Sequence, residues 1–247
     1  MSTTKLILLV LAPLAACGAP TRPAPTPTPA AAAAPPPLPG ALRWMRRSAE
    51  YRALARQTYA FAALRLAELA RGRPAGTWAV ILDADETVLD NSEYERRRAI
   101  VDSGYTDASW AAWVREQAAG AVPGAAGFTT TVQHLGGRVA IVTNRADSLC
   151  ADTRSNLARA GIATDLVLCM LPGGSDKNPR FERVQQGTAA PGLPALTVIE
   201  WIGDNILDFP HLTQAVRADS TALAEFGRRF FLLPNPLYGS WERNPEP

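Results

Sequence analysis

The sequence predicts an α/β fold, a doubly wound and mostly parallel sheet, and three observations carry that expectation. Five runs, TWAVILD (77–83), RVAIVTN (138–144), DLVLCML (165–171), LTVIEWIGD (196–204) and RRFFLLPN (228–235), are continuously apolar rather than alternating. Continuous apolarity is what strands buried on both faces of a parallel sheet require. Helix-compatible stretches separate the runs, at roughly 125–135, 146–160, 180–187 and 211–226, and regular alternation of strand and helix is the pattern of such sheets. Finally, four of the five runs end in a polar or charged residue, at the carboxyl ends where the functional crevice of an open parallel sheet lies.

Taken in chain order, the 247 residues begin with Met-Ser-Thr-Thr-Lys and the apolar stretch LILLVLAPLAA. That stretch is short for a bilayer span and reads as an export signal. It closes on Leu14-Ala15-Ala16-Cys17, which resembles the lipobox of bacterial lipoproteins. The resemblance implies cleavage before Cys17, lipidation of its thiol and a membrane anchor without a spanning helix. An ordinary signal peptide with an incidental cysteine is the alternative. Gly18 follows where an aspartate would favour the inner membrane, so the expected location is the outer membrane, facing the periplasm or the cell surface. Residues 18–40 are almost wholly Pro, Ala and Thr, a composition that favours extended polyproline conformations and makes a tether. The folded domain is expected over 41–247.

From Ala41 to Arg71 no Gly or Pro interrupts an Ala-, Leu- and Arg-rich segment, so one or two helices are expected before Gly72, Pro74 and Gly76 stop them. The insert from about 90 to 124 is also helical in character, with Trp110 and Trp113 on an amphipathic segment. Beyond Cys17 the cysteines are Cys150 and Cys169; in an exported protein they either pair or remain buried thiols. A formal net charge of +2 gives no basis for a nucleic-acid surface.

The strand ends, read in order, present Asp83, then Thr143, then Lys177 after Gly173-Gly174-Ser175-Asp176, then Asp204. A carboxylate at a strand end can attack phosphorus and form an acyl-phosphate. Asp85, two residues on, is placed to protonate the leaving alkoxide and later to activate water. Asp204 and Asp208 form a second acidic pair in IGDNILDF, and with Asp83 they offer the oxygen ligands that Mg²⁺ prefers. A cation would make so much negative charge tolerable on one rim. Lysine occurs only at positions 5 and 177, so 23 of the 25 basic residues are arginine. The one lysine beyond the signal segment falls on this rim, where a compact ammonium fits and a planar guanidinium does not. Thr143 can donate a hydroxyl to a phosphoryl oxygen beside the start of the next helix. Arg145 and Arg180 either add positive charge nearby or are solvated helix residues.

The segments ILDADETVLDNSEY, IVTNR, SDKNPRF and IGDNILDF resemble the four motifs of the haloacid dehalogenase (HAD) superfamily. The first and last are similar to the bipartite signature of its class C, lipoprotein-type acid phosphatases; WMRRSAEYRAL and LLPNPLYGSWE are similar too. The likeness runs from roughly Leu42 to Glu242. It implies a Rossmann-like, HAD-like core with a smaller helical domain built from about 41–71 and 90–124. It also implies an Mg²⁺-dependent phosphatase acting on small phosphate monoesters, with 5′-nucleotides among the candidates, through an aspartyl-phosphate. Carried onto this sequence, Asp83 is the nucleophile, Asp85 the general acid/base, and Thr143 and Lys177 hold the phosphoryl group. Asp204 and Asp208 serve the metal with Asp83 and the backbone carbonyl of Asp85. Asn144 and Arg180 are implied substrate contacts, and Tyr94, Tyr238 and Trp241 are candidates for holding a flat ring, with core packing as their alternative. A homodimer is implied by the family analogy alone. Glu86 stands where other branches often carry glycine, and the sequence gives no account of it.

Other phosphatase chemistries fail on residues. A Cys-x5-Arg loop from Cys169 would need Arg at Ser175, and His134 and His211 sit in no paired or Arg-His-Gly context. No Walker-type phosphate loop is present. A non-enzymatic surface lipoprotein on a retired scaffold is the weaker alternative, since retirement usually shows as loss of a nucleophile or ligand and all are present here. Transfer of the phosphoryl group to an alcohol instead of water stays open.

Overall fold

The computed structural model describes residues 37–219 and 221–245. Cys17, the lipobox and most of the 18–40 tether lie outside the described residues.

The chain enters through two helices, α1 (Gly40–Arg47) and α2 (Ala49–Leu69), separated by Ser48. Ser48 is extended and its hydroxyl accepts from the Tyr51 amide at 3.0 Å, an N-cap that starts α2 and sets the bend. Tyr51, Ala55, Tyr59, Ala62 and Leu66 form the buried face of α2, the three- and four-residue spacing of one helical stripe. That stripe packs on α5 (Ala125–His134) and on two strands, β6 (Thr197–Gly203) and β7 (Phe230–Leu232).

The main sheet has the order β5–β4–β1–β6–β7 and is parallel throughout. Its central strand is β1 (Trp78–Leu82), flanked by β4 (Arg138–Ala146) and β6, with β5 (Leu166–Met170) beyond β4. Every residue of β1 is buried, as the unbroken apolar run requires. One apolar layer joins Trp78, Val80 and Leu82 to α2 and α5; the other joins Ala79 and Ile81 to Phe181 and Val184 of α7 (Asn178–Gln185). Because the chain leaves β1 towards β4 and β5 and only later fills the other side with β6 and β7, the strand order reverses at β1. The carboxyl ends of β1, β4 and β6 therefore bound the crevice.

The insert after β1 contains a two-residue strand, β2 (Leu89–Asp90), paired antiparallel with β3 (Gly120–Ala121), and two helices, α3 (Ser92–Ile100) and α4 (Asp107–Glu116). The helices expected to form one small helical part divide their contacts. α2 covers the sheet, whereas α3 touches α1 and α4 touches α6 (Cys150–Arg159). The disulfide joins Cys150, at the start of α6, to Cys169 in β5, with Cα atoms 5.9 Å apart.

One expected helix is absent. Among the described residues of 211–226 the chain makes a short 3-10 turn, Gln214–Ala218, and further turns from 221 on. The Asp219 carboxylate accepts from both the amide and the hydroxyl of Thr221, a local bond that competes with helical backbone pairing. Among the described residues no helix is long and apolar enough to cross a membrane.

Candidate active site

Register sets the rim. Leu82 lies opposite Ile141 and Ile202, and the Asp83 amide continues the pairing by donating to the Ile202 carbonyl at 3.0 Å. Asp83 thus sits at the end of β1 beside the end of β6, which carries Asp204. After Asp204, Asn205 caps a 3-10 turn over Ile206–Asp208 and turns Asp208 back under the strand end. A Cβ on Gly203 would come within 2.3 Å of Asp208, so only glycine allows that return.

Lys177, immediately before α7, is buried and donates to Asp83 and, at 2.6 Å, to Asp208. One carboxylate oxygen from each of Asp83, Asp204 and Asp208 lies within 4.8 Å of the others. Asp204 is held by Thr87 Oγ1 at 2.9 Å and Asn235 Nδ2 at 2.8 Å. Burial drives the Asp204 carboxyl well above its ordinary range, and the charges of Asp208 and Asp83 add to the shift. Burial raises Asp83 to about 7; Lys177 opposes the shift, and Asp208 and Asp85 add to it. Three crowded carboxylates against one ammonium leave negative charge uncompensated. Oxygen-only donors with such a deficit fit a hard divalent cation.

Asp85 has a different environment. Its Oδ1 accepts from Arg145 Nη2 at 2.7 Å, Arg145 Nε at 2.9 Å and Asn91 Nδ2 at 2.9 Å, while Oδ2 has only Arg145 Nε at 3.3 Å. Oδ1 is clamped by three donors and Oδ2 has a single, longer contact. Arg145 is fully buried, with its guanidinium 5.4 Å from the centre of the Trp110 ring. Asn91 is fixed in turn by Trp113 Nε1 at 2.8 Å and by Glu86, which accepts from the Asn91 amide at 2.8 Å. Glu86 has a φ of 53°, the left-handed conformation in which glycine is at ease. Its buried carboxylate is anchored by Asn91, which accounts for a non-glycine residue there.

The expected site residues do not all meet. Asp83, Asp85, Asn144, Lys177, Asp208, Tyr94 and Tyr238 line one cavity of about 980 Å³, with Arg145. Asp204 completes the acidic cluster with Asp83 and Asp208 but is not on the cavity wall. Thr143 is buried behind the wall and its hydroxyl accepts from the Arg145 amide at 3.1 Å. Arg180 is not placed as a substrate contact. Its guanidinium is turned away, donating to the Thr143 carbonyl, to Asn144 Oδ1 at 2.6 Å and to the Gly174 and Asp176 carbonyls at 3.2 Å. Arginine's rigid fork here fastens the loop that carries Lys177 to the end of β4. Trp241 is 45% exposed and off the cavity wall, although Gly239 and Glu242 beside it are on it. Tyr105 and Trp110, which the sequence did not single out for the site, are on the wall instead. Trp110 packs edge-on to Tyr94 with ring centres 5.1 Å apart.

Residues 32–241 match the family described as HAD superfamily, subfamily IIIB (Acid phosphatase). The chain is similar to the class C acid phosphatase from Bacillus anthracis, with 30% identity and a TM-score of 0.73 over 82% of this chain and 85% of that one. A second structure of the class C acid phosphatase from Bacillus anthracis, with tungstate bound, is similar at 30% identity and a TM-score of 0.72 over the same shares.

Proposed function

The chain belongs to HAD subfamily IIIB, the class C acid phosphatases, and is a phosphomonoesterase; from that premise we propose that Asp83 is its nucleophile and Asp85 its general acid/base. The observation that carries the reading is the convergence of Asp83, Asp204 and Asp208 on the single ammonium of Lys177. Asp83 attacks phosphorus, and the ester oxygen leaves with the proton of Asp85. Water then hydrolyses the aspartyl-phosphate, giving a proton back to Asp85 and regenerating Asp83. The clamp of Arg145 and Asn91 keeps Asp85 facing the cavity through both half-reactions. Lys177 balances charge on the phosphoryl oxygens. Thr143, whose hydroxyl accepts from the Arg145 amide, holds the backbone that carries Arg145.

Mg²⁺ suits the site, held by Asp83, Asp204 and Asp208 with the Asp85 carbonyl. When bound, it supplies positive charge that lets an anionic ester approach a carboxylate. Tungstate in the similar Bacillus anthracis enzyme has the tetrahedral oxyanion shape of phosphate, which fits a rim built for a phosphoryl group.

Tyr94, Tyr105 and Trp110 form an aromatic cluster on the cavity wall, which Tyr238 also lines, and they offer a surface for the base of a 5′-nucleotide. Export is supported by the Cys150–Cys169 disulfide, since such bonds persist in oxidising compartments. Lipidation at Cys17 and an outer-membrane location complete the reading.

The test is hydrolysis of p-nitrophenyl phosphate by the wild type with Mg²⁺, with EDTA, and by Asp83→Asn. Loss of activity with EDTA and a fall of at least about 10³-fold in the variant are expected. Undiminished activity in Asp83→Asn overturns the assignment. Adding a nucleoside acceptor separates transfer from hydrolysis by the product formed.

A further inference from the structure

Pairing between β4 and β5 breaks at the rim. The two strands are in register at Val142–Leu168 and meet again at Ala146–Met170. Between those pairs Thr143, Asn144 and Arg145 of β4 stand against one residue of β5, Cys169. The ladder to β1 has already stopped at Leu82–Ile141, so neither neighbouring strand holds these residues by pairing. An excess of residues on one strand bends it and re-aims its side chains. Here the bulge turns the Arg145 guanidinium onto Asp85, where Nη2 and Nε donate to Oδ1 at 2.7 and 2.9 Å.

Ties outside the ladder fix the bulge. Arg180 donates to the Thr143 carbonyl and to Asn144 Oδ1 at 2.6 Å, and the Thr143 hydroxyl accepts from the Arg145 amide at 3.1 Å. A further tie is covalent. A 3-10 turn over Asp147–Leu149 carries the chain from the bulge to Cys150, and Cys150 is bonded to Cys169, the residue that the bulge faces. Residues 143–150 are thus stapled to the strand whose pairing they left. Both cysteines are buried, so the bond belongs to the frame of the site and is not an exchangeable surface bond.

The same staple supports the second donor to Asp85. Cys150 begins α6, and α6 fastens the residues that follow α4: Gln117 Nε2 donates to Asp152 Oδ1 at 2.8 Å, and Asn156 Nδ2 to the Ala119 carbonyl at 2.8 Å. α4 carries Trp110, whose ring lies against the Arg145 guanidinium, and Trp113, whose Nε1 donates to Asn91. Asn91 in turn donates to Asp85 Oδ1. We propose that the Cys150–Cys169 disulfide is a positioning element of the reaction: it holds the β4 bulge and, through Arg145 and Asn91, keeps Asp85 aimed at the leaving oxygen.

The inference rests on Asp85 as general acid, and one experiment separates the two. An alkoxide needs a proton as it leaves, whereas p-nitrophenolate is a stable anion and leaves without one. For a reaction through a covalent intermediate, kcat/KM covers the steps as far as ester cleavage and excludes the later hydrolysis. The readout is therefore the ratio of kcat/KM on glycerol 2-phosphate to kcat/KM on p-nitrophenyl phosphate, measured on the full chain in detergent. Cys150→Ala/Cys169→Ala should lower that ratio about tenfold, and Asp85→Asn should lower it at least as far. Cys150→Val/Cys169→Ala, which refills part of the space of the two sulfurs, should give the same fall. Equal loss on both esters in both cysteine variants, total loss included, makes the disulfide a stabiliser only and overturns its positioning role. An unchanged ratio in Asp85→Asn overturns the general acid, and this inference with it.

Discussion

Lys177 was legible from composition alone. Beyond the signal segment every other Lys/Arg position is arginine, and the ammonium of the one lysine, just before α7, bridges Asp83 and Asp208. Arg180 was misread for the opposite reason, because sequence position gives proximity but not direction. Three residues beyond Lys177 it is near the rim, yet its fork closes on main-chain carbonyls and on Asn144. Those bonds suit a positioning residue, whose loss should appear in turnover rather than in binding. Arg180→Met is expected to lower kcat about tenfold with KM within about twofold, as Lys177 loses its fixed place. A direct contact would instead raise KM with kcat unchanged, and steady-state kinetics on p-nitrophenyl phosphate distinguish the two. Arg145 shows the same limit: IVTNR placed it near the site, but only the fold turns its guanidinium onto Asp85.

At the scale of elements, the five apolar runs became the five strands of the main sheet because burial on both faces leaves an unmistakable pattern. The 211–226 helix failed because its apolar residues are spaced acceptably while Asp219 and Thr221 bond locally. The aromatic cavity was only half visible, since Tyr105 and Trp110 reach it through the packing of α3 and α4, a tertiary fact. Strand β6 hides a further anomaly. Glu200 is wholly buried, neither carboxyl oxygen has a partner, and burial pushes it up to about 9 against the pull of Arg65. The folded protein therefore keeps a proton that the unfolded chain, with an ordinary glutamate value, has released. The folded state binds more protons, so this group's contribution is fully present below about pH 4.5 and is lost as pH rises towards 9. Glu200→Gln is neutral throughout and escapes that loss. Melting curves should coincide for the two proteins near pH 4.5, with the variant melting roughly 5 °C higher at pH 8. A constant difference across pH would show that Glu200 is not buried as a neutral acid.

Across the whole molecule, the sheet's reversal at β1 gathers carboxylates from strand ends far apart in sequence, and burial by the helices removes the water that would screen them. Folding thus works against ionisation at the rim, as the raised values of Asp83 and Asp204 express. A ligand that binds only the folded chain and relieves this repulsion must raise stability by mass action. Protons and a divalent cation compete for the same oxygens, which fixes the sign of the pH dependence. At pH 5.5 Asp83, with a value of about 7, holds its proton and metal gains little. As pH rises through 7 the proton leaves and the oxygen becomes a ligand. Mg²⁺ at about a hundred times its Kd should therefore raise Tm by roughly 5 °C at pH 7.5 and by clearly less at pH 5.5. EDTA should reverse the shift, and Asp204→Asn, which removes a ligand charge while leaving the sheet intact, should abolish it. The readout is thermal, so it holds whether or not a substrate has been found. A shift that persists in Asp204→Asn places the metal elsewhere on the chain. No shift at either pH would mean that Lys177 alone balances the carboxylates, and the acidic cluster would then be a phosphoryl pocket without a resident cation.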